Sequence, residues 1–153
     1  MKLLPFSIEH FDQIEWQGAQ SAGKLHYSEE VAWDVARESE ACSAIDADGY
    51  VLACAGVYPT RIVRQVNGPD QIETSLAWAI FSPRFLRKPK GVIRAIREFL
   101  KDRNERRIEA YVDPAHANAA PFLNRLGFEF ERELDVSEHP DGRVLHLYAR
   151  VRA

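Results

Sequence analysis

The sequence predicts an α/β (α+β) fold in which helices cover both faces of a mixed sheet of about six to seven strands. Two hairpin signals in the first half, Asp48-Gly49 and Asn67-Gly68, indicate antiparallel strands. In the second half, strand patterns alternate with helical patterns, which is typical of a mixed sheet. The chain has 153 residues and shows neither a low-complexity linker nor an internal repeat. We therefore expect one domain over residues 1–153.

The first half predicts two helices between strands. Residues 2–6 read as a strand, after which Ser7 can cap a helix that runs through His10, Phe11 and Ile14. A second helix is expected from Ser28, with acidic residues in its first turn. Strands are then expected at 41–46, 50–58 and 61–66, followed by a longer strand that ends near Phe81. The last seven residues of that strand, 75–81, are almost wholly apolar, which predicts burial on both faces.

The two cysteines, Cys42 and Cys54, lie on either side of the Asp48-Gly49 turn. A tight turn there places Cys42 opposite Ala55 and Cys54 opposite Ser43. Because side chains alternate along a strand, the two thiols then lie on opposite faces of the sheet. We expect two small buried side chains, with neither a disulfide nor a metal site.

The second half predicts two more helices and three strands. Val92, Ile96 and Leu100 are four residues apart, which indicates an amphipathic helix with a basic outer face. Residues 108–112 read as a strand and 118–126 as a helix that Gly127 stops, with Pro121 tolerated in its first turn. The alternating pattern of 128–136 predicts a strand, and a turn at 139–142 leads into a last strand at 144–151.

Charge is unevenly distributed along the chain. The net charge is -3, yet residues 84–107 hold ten cations and three acids, a balance of +7, so the rest of the chain carries -10. Nucleic-acid binders are usually basic overall, whereas a local basic patch on an acidic body suits a compact polyanionic ligand. The sequence contains neither an apolar run long enough to span a membrane nor a signal-peptide pattern. A cytoplasmic location is therefore expected.

Two stretches are most informative when they are read with the order of the elements. One is Leu76-Ala-Trp-Ala-Ile-Phe-Ser82, which the basic helix follows. The other is Arg107-Ile-Glu-Ala-Tyr-Val-Asp113, which leads into Phe122-Leu-Asn-Arg-Leu-Gly-Phe128. Together they resemble the GNAT acyltransferase superfamily over nearly the whole chain, and the Leu-Gly-Phe that ends the last helix is a familiar mark of that superfamily.

A narrower resemblance is to GNAT-like bacteriophage proteins, the group that includes internal virion protein A of short-tailed phages. The matching motifs are Glu9-His10-Phe11, Cys54-Ala-Gly-Val57, Arg107-Ile-Glu109, Val112-Asp113, Gly127-Phe128-Glu129, Pro140-Asp-Gly142 and Leu147-Tyr-Ala-Arg150. This resemblance implies a phage-encoded protein that acts in the host cytoplasm.

The GNAT resemblance implies a coenzyme A site at the start of the basic helix. A helix N-terminus supplies unpaired amides and a positive dipole end to phosphates. Of the family's glycine loop only Gly91 is kept, while Pro89 replaces a glycine and removes an amide donor. The residues that the resemblance assigns to the cofactor are Ala79, Ile80, Phe81, Arg87, Lys88, Lys90, Gly91, Val92, Asn118 and Phe122. Ala79, Ile80 and Phe81 would hold the pantetheine through backbone groups.

The catalytic residues implied by the resemblance are less complete. Glu73 lies about where the family often has its base, and Thr74 is equally close to that place. The family's frequent tyrosine acid falls at Leu123, which cannot give up a proton. Tyr111, His116 or a water are the alternatives, while His10 is expected to have a structural role.

The implied function is transfer of an acetyl group from acetyl-CoA to an amine or a protein lysine, by direct attack and without an acyl-enzyme. The alternative is a non-catalytic phage protein of GNAT fold that binds a host or virion protein. Leu123 and Pro89 both favour that alternative. A nucleic-acid binder would depend on the basic helix alone.

Overall fold

The computed structural model of the chain describes residues 1–17, 29–134 and 144–152. Within them, seven strands form one sheet with the order β1-β2-β3-β4-β5-β7-β6. The strands are β1 (Lys2–Pro5), β2 (Glu40–Ile45), β3 (Val51–Val63), β4 (Gln71–Phe81), β5 (Arg107–Val112), β6 (Glu129–Leu134) and β7 (Leu145–Val151). The helices are α1 (Ile8–Gln13), α2 (Glu29–Glu38), α3 (Pro89–Lys101) and α4 (Ala119–Arg125), with a 3-10 turn at Pro83–Arg87.

The sheet is mixed, as the sequence predicts. The pair β4–β5 is parallel, whereas β1–β2, β2–β3, β5–β7 and β6–β7 are antiparallel. The helices and strands also follow the predicted order along the chain, except that one strand stands where two were predicted at 50–58 and 61–66. The predicted fold class is therefore confirmed.

One difference concerns β3, which runs unbroken from Val51 to Val63 where the sequence predicts two shorter strands. The continuous strand includes Pro59, although proline cannot donate to a strand ladder. The ladder with β2 has its last pair at Glu40–Val57, so β3 has already passed the end of β2 when it reaches Pro59. The missing N–H therefore removes no bond to β2.

The chain divides into two compact units. The first comprises Met1–Tyr58 and Ala77–Lys101. Its core contains Phe11, Ile14, Val51, Cys54 and Ile80, with a rim of partly buried apolar residues that includes Phe6, Ile8, Trp16, Ile45 and Trp78. Most of these side chains come from α1, β2, β3 and β4, so each of these elements turns its apolar side chains toward one shared core.

The β2–β3 hairpin of the first unit has the predicted register. Cys42 pairs with Ala55 and Ser43 with Cys54, so the two free thiols lie on opposite faces. Burial raises the pKa of the Cys54 thiol to about 11, despite a contact of 3.4 Å between its Sγ and the Ser43 Oγ. Gly49 has a φ of +81°, which is the left-handed conformation that this turn requires.

The second unit comprises Pro59–Leu76 and Asp102–Ala153. Its buried residues include Ile108 and Ala110 of β5, Leu123 of α4, and Leu147 of β7. Helix α4 ends at Gly127, whose φ is +87°, and the Phe128 N–H returns to the Leu123 carbonyl at 3.1 Å. Pro121 lies in the first turn of α4, as the sequence predicts.

Three predicted features fall outside the described residues: the Ser28 cap, the turn at 139–142, and the part of the sixth strand at 135–136. Helix α2 is described from Glu29. Among the helices that are described, none has the length and apolarity needed to cross a membrane.

Candidate functional site

The end of β4 is fixed by hydrogen bonds within the first unit. The Ser82 N–H donates to the Leu52 carbonyl of β3 at 2.9 Å. On the chain segment after α1, the Gln17 N–H donates to the Phe81 carbonyl at 3.3 Å. The buried Gln17 side chain adds a bond from its Nε2 to the Ser82 carbonyl at 3.1 Å. Two consecutive carbonyls at the end of β4 therefore bond to one residue.

The 3-10 turn that follows is held by Arg84. Its Nη1 lies 3.2 Å from an Asp46 carboxylate oxygen, and its guanidinium lies 4.1 Å from the centre of the Tyr50 ring. The Tyr50 amide donates to Asp46, and this bond lowers the pKa of that carboxyl. Tyr50 in turn donates its hydroxyl to Glu15 at 2.6 Å. Arg84 thus serves the fold and is not free for a ligand.

The start of α3 is open to a ligand. Pro89 is the first residue of the helix, a position whose N–H has no helical partner in any case. Pro89 therefore costs the helix no hydrogen bond, but it leaves one amide fewer for a ligand, as the sequence predicts. The next two amides, those of Lys90 and Gly91, have no carbonyl within the helix to bond. Gly91 is exposed, and the neighbour that a Cβ there would meet is the end of the Met1 side chain, at 3.4 Å.

Three cations surround this helix start. The side chains of Arg87, Lys88 and Lys90 are exposed. Within the part of the chain that the structure describes, none of the three has an ion-pair or hydrogen-bond partner. Val92 differs, because its side chain is buried in the first unit and only its backbone can contact a ligand.

The three β4 residues assigned to the pantetheine lie beyond the parallel ladder with β5. That ladder pairs Thr74 with Arg107 and ends where Leu76 pairs with Glu109. Ile80 is buried in the core of the first unit, whereas Ala79 and Phe81 are half-buried. The Phe81 carbonyl accepts a hydrogen bond from the Gln17 N–H.

The ring of Phe81 has a neighbour of its own. It stacks on the buried Phe85 ring with 4.4 Å between the ring centres. Phe85 belongs to the 3-10 turn, so this stack ties the end of β4 to the turn that leads into α3.

Glu73 lies on the part of β4 that belongs to the second unit. Its Oε2 is 2.8 Å from the Arg61 Nε, and the Glu73 side chain is 28% exposed against 71% for Arg61. The neighbouring Thr74 carbonyl accepts a bond from the Thr60 hydroxyl at 3.2 Å. Of the two candidate bases, Glu73 is the titratable one, and its carboxylate already has a positively charged partner.

The other predicted site residues lie around the start of α4. The turn before α4 is closed by a bond from the His116 N–H to the Asp113 carbonyl at 3.0 Å. Asn118 directly precedes the helix and is exposed, and Phe122 lies half-buried one turn later. Leu123 is buried in the second unit, so the position where the family has a tyrosine acid is a core position here. Tyr111 is exposed on β5.

His10 has a structural partner. Its Nδ1 accepts the Ser7 N–H at 3.3 Å, which closes the first turn of α1. An open depression of about 440 Å³ lies beside it, lined by Phe6, Ser7, Ile8, Glu9, Trp33, Ala36 and Arg37. None of the predicted site residues lines this depression. Among the described residues, no group of three or more His, Cys, Asp or Glu side chains is arranged to hold a metal ion.

Two residues that position this region were not predicted from the sequence. Gln17 lies 65 positions before its partner Ser82, and no local pattern marks it. Arg84 was predicted only as one of ten cations in a basic segment. The sequence feature that could have singled out Arg84 is its position directly after Ser82-Pro83, at the end of an apolar strand.

No protein-family model and no curated protein matches the chain. Solved structures do match it over nearly the full length of both chains. Ard1 from Thermoplasma volcanium has a TM-score of 0.75 at 16% identity, covering 99% of this chain and 97% of that one. A GCN5-related N-acetyltransferase from Kribbella flavida has a TM-score of 0.62 at 21% identity, covering 99% and 97%.

A GNAT-family acetyltransferase from Bacillus anthracis is similar too, with a TM-score of 0.63 at 12% identity, covering 97% of this chain and 93% of that one. These likenesses establish the GNAT fold of the chain. At identities of 12–21% these structures show the fold of the chain and not its activity.

Proposed function

We propose that this chain is an N-acetyltransferase that takes an acetyl group from acetyl-CoA and transfers it to an amine or a protein lysine. The support comes from the fold, which the chain shares with solved acetyltransferases, and from the composition of one site. The observation that carries the proposal is the start of α3, where two open amides and three unpartnered cations lie together.

The residues present at the start of α3 fit the phosphates of coenzyme A. The amides of Lys90 and Gly91 can each donate to a phosphate oxygen, and the positive end of the helix dipole adds to their effect. The side chains of Arg87, Lys88 and Lys90 supply the charge that a pyrophosphate and a 3′-phosphate require. Pro89 leaves one amide fewer for the phosphates, and the side-chain charges of Arg87, Lys88 and Lys90 can compensate for it.

When bound, acetyl-CoA supplies an acetyl group activated as a thioester. In the first unit, the backbone at Ala79, Ile80 and Phe81 would hold the pantetheine and polarise the thioester carbonyl, an effect of oxyanion-hole type. In the second unit, Asn118 and Phe122 would contribute to cofactor binding. Glu73 would accept the proton of the incoming ammonium, and its carboxylate lies 2.8 Å from the Arg61 Nε.

The thiolate that leaves must receive a proton, and position 123, where the family often has a tyrosine for this step, is a leucine here. We assign this proton transfer to His116, with Tyr111 or a water as alternatives. The His116 and Tyr111 side chains both belong to the second unit, and each can bear a proton. The motifs at 9–11, 54–57, 140–142 and 147–150 further support a phage origin and action in the host cytoplasm.

A second candidate function is binding of a host or virion protein without catalysis. The specific observation in its favour is Leu123, which is buried where an acid is expected. The two candidates differ in one measurable way: only the enzyme releases coenzyme A thiol in the presence of an acceptor.

Calorimetry with acetyl-CoA tests the proposal directly. We expect micromolar binding, weakened roughly tenfold or more by Arg87→Glu because a charge-assisted hydrogen bond is lost and a repulsion gained. Arg64→Glu is the matched control, since Arg64 is an exposed arginine without a partner among the described residues and lies outside the site. An absence of binding at millimolar acetyl-CoA would exclude the enzyme. Binding without thiol release across a broad amine panel would leave the binding-only candidate.

A further inference from the structure

Strand β3 extends past the strand that covers one of its two backbone edges. Its ladder with β2 ends at the pair Glu40–Val57, and its other neighbour in the sheet is β4. Among the strands that the structure describes, none lies beside β2's side of β3 from Tyr58 to Val63. We call this side of residues 58–63 the free edge of β3.

The free edge leads into a group of exposed apolar side chains. Ile62 is 53% exposed, Val63 is 41% exposed and Val66 is 99% exposed. Successive side chains point to opposite faces of a strand, so the exposure of Ile62 and Val63 means that both faces of β3 are open to solvent here. A ribbon of two strands with open faces is marginally stable in water, and a further strand beside it would stabilise it.

A hydrogen bond of the first unit shows which backbone groups β3 turns toward β2. The Phe6 N–H donates to the Ala41 carbonyl, so Ala41 directs its backbone groups away from β3. Because this direction alternates along a strand, the preceding residue, Glu40, directs its own groups toward β3 and forms a hydrogen-bonded pair with Val57. The backbone groups of Val57 therefore point toward the β2 side.

The same alternation identifies the residues that offer backbone groups on the free edge. They are Pro59, Arg61 and Val63, at every second position after Val57. Pro59 has no N–H, so Arg61 and Val63 are the residues that offer both a donor and an acceptor. Proline discourages pairing at its own position, at the start of the free edge, and leaves the two positions beyond it available.

We infer that the free edge pairs with the free edge of a second copy of the chain, antiparallel, with Ile62 opposite the partner's Ile62. Arg61 then lies opposite the partner's Val63, and each such pair exchanges two backbone hydrogen bonds. The two Ile62 side chains meet on one face, and no like charges are opposed. Arg61 brings little unbalanced charge, because its Nε lies 2.8 Å from the Glu73 carboxylate. One two-fold axis relates the copies, so association stops at a dimer.

Other two-fold registers of this edge are less favourable. Opposed side chains lie on the same face of a sheet, so the centre of the ladder must fall on one residue. A ladder centred on Arg61 opposes two arginines, and one centred on Thr60 places Pro59 opposite Arg61, which removes a bond from each pair. A ladder centred on Val63 extends past the end of the strand, where Arg61 would face Gln65.

The two outer strands of the sheet are less suited to a second copy. The edge strand β6 has glutamates at every second position, 129, 131 and 133, and a bulge between Phe130 and Arg132. Charged side chains and bulges both discourage edge pairing. The opposite edge strand, β1, has four residues and ends in Pro5. Of the edges that the structure describes, the free edge of β3 is therefore the one whose exposed side chains include β-branched apolar residues next to available backbone groups.

The short ladder sets the expected strength of the dimer. Three opposed residue pairs bury well below the roughly 1,200 Å² of a stable interface, so we expect a dissociation constant of about 0.1–1 mM. The inference does not depend on the proposed function, because no cofactor residue lies on the free edge.

Sedimentation equilibrium of the full chain, from micromolar to millimolar concentration, tests the inference. Ile62→Glu and Ile62→Lys each oppose two like charges at the centre of the ladder, so each should weaken dimerisation roughly tenfold or more. An equimolar mixture of the two variants should regain the dimer, because glutamate then faces lysine. Val66→Lys is the matched control, since Val66 is an exposed apolar residue outside the ladder, and it should change the dissociation constant by less than about twofold.

A cysteine at the centre of the ladder provides a second measurement that captures a weak dimer. Opposed residues of a non-hydrogen-bonded pair have Cα atoms about 4.5 Å apart, a distance that a disulfide can span. Under mild oxidation, Ile62→Cys should therefore form a covalent dimer several times faster than Val63→Cys, whose position faces the partner's Arg61. The wild-type chain, with its free Cys42 and Cys54, gives the background rate.

Three results would overturn the inference. The first is a wild-type chain that stays monomeric at millimolar concentration. The second is a dimer that persists in Ile62→Glu or weakens equally in Val66→Lys, which would place the contact on another surface. The third is a mixture of the glutamate and lysine variants that stays monomeric while both variants keep the wild-type melting temperature. Equal covalent dimerisation of Ile62→Cys and Val63→Cys would likewise contradict the register.

Discussion

A buried ion pair in the second unit permits the sharpest prediction about stability. Glu105, in the segment before β5, has a side chain that is only 1% exposed, and its partner Arg103 is 11% exposed. Arg103 donates to both carboxylate oxygens, and the buried Ser75 hydroxyl of β4 adds a bond at 3.1 Å. Ser75 lies in the three-residue ladder with β5, two positions after Glu73. The pair therefore ties together the part of the sheet that carries the proposed base.

We expect Arg103→Met to lower the free energy of unfolding by about 3–5 kcal/mol, because it leaves a buried carboxylate without its partner. At roughly 2–4 °C per kcal/mol for a chain of this size, the melting temperature should fall by about 10 °C. Thermal and urea unfolding followed by circular dichroism measure both quantities. The matched control is Arg107→Met, whose half-exposed pairing with Glu109 and Glu131 should cost no more than about 1 kcal/mol.

The pH dependence of this loss distinguishes charge from packing. Burial alone would raise the pKa of Glu105, but the hydrogen bonds of Arg103 and Ser75 outweigh it and hold the pKa below its ordinary 4.5. In the wild type, this group therefore stabilises the fold above pH 4.5, and the contribution is lost as the pH falls through the lowered pKa. In Arg103→Met burial is opposed only by a backbone hydrogen bond and by Ser75, so the pKa of Glu105 rises and the carboxyl protonates earlier on acidification.

The difference between variant and wild type should consequently be largest at neutral pH and shrink toward pH 4. The double variant Arg103→Met with Glu105→Leu should recover most of the stability, because it removes the buried charge as well. A loss that is equal at pH 4 and pH 7, or a loss at pH 7 no larger than that of Arg107→Met, would refute the reasoning.

Two further predictions concern the first unit, and chemical denaturation checks both. Gly56→Ala should destabilise the chain by about 1–3 kcal/mol, because the new Cβ would lie 2.5 Å from the Ala41 Cβ and 2.7 Å from the Glu40 carbonyl oxygen. Gly68→Ala is the control and should be nearly neutral, because a Cβ there meets only the flexible Gln65 side chain. Gln17→Leu should cost about 1–3 kcal/mol by removing the donor to the buried Ser82 carbonyl, and the exposed Gln13→Leu should stay within about 0.5 kcal/mol; equal losses would contradict the role given to Gln17.

The fold was predictable from local patterns wherever one rule acted alone. The Asp48-Gly49 turn was enough to place Cys42 opposite Ala55, because a tight hairpin fixes the register of both strands. Gly127 ended α4 as its left-handed conformation requires. The length of β3 was not predictable, because the cost of Pro59 depends on where β2 ends, and that is a property of the partner strand.

The site was less predictable, because its parts depend on contacts distant in sequence. Gln17 and Ser82 are 65 positions apart, and nothing near Gln17 announces the contact. The helix begins at Pro89 itself, which explains why the proline costs the helix no hydrogen bond although it leaves one amide fewer for a ligand. The Glu73–Arg61 pair likewise requires the hairpin of β3 and β4 to be in register before it can be seen.

The cations of residues 84–107 form one basic segment in the sequence but three groups with different surroundings in the structure. Arg84, Arg103 and Arg107 are held by carboxylates of the chain and serve its stability. Arg87, Lys88 and Lys90 surround the open amides at the helix start, where a compact phosphate ligand is best served. Arg94 and Lys101 continue along α3 beyond the reach of that site. Since these three groups differ in partners and position, the +7 balance of residues 84–107 as a whole does not describe one ligand site, and only the cations at the helix start belong to the proposed phosphate site.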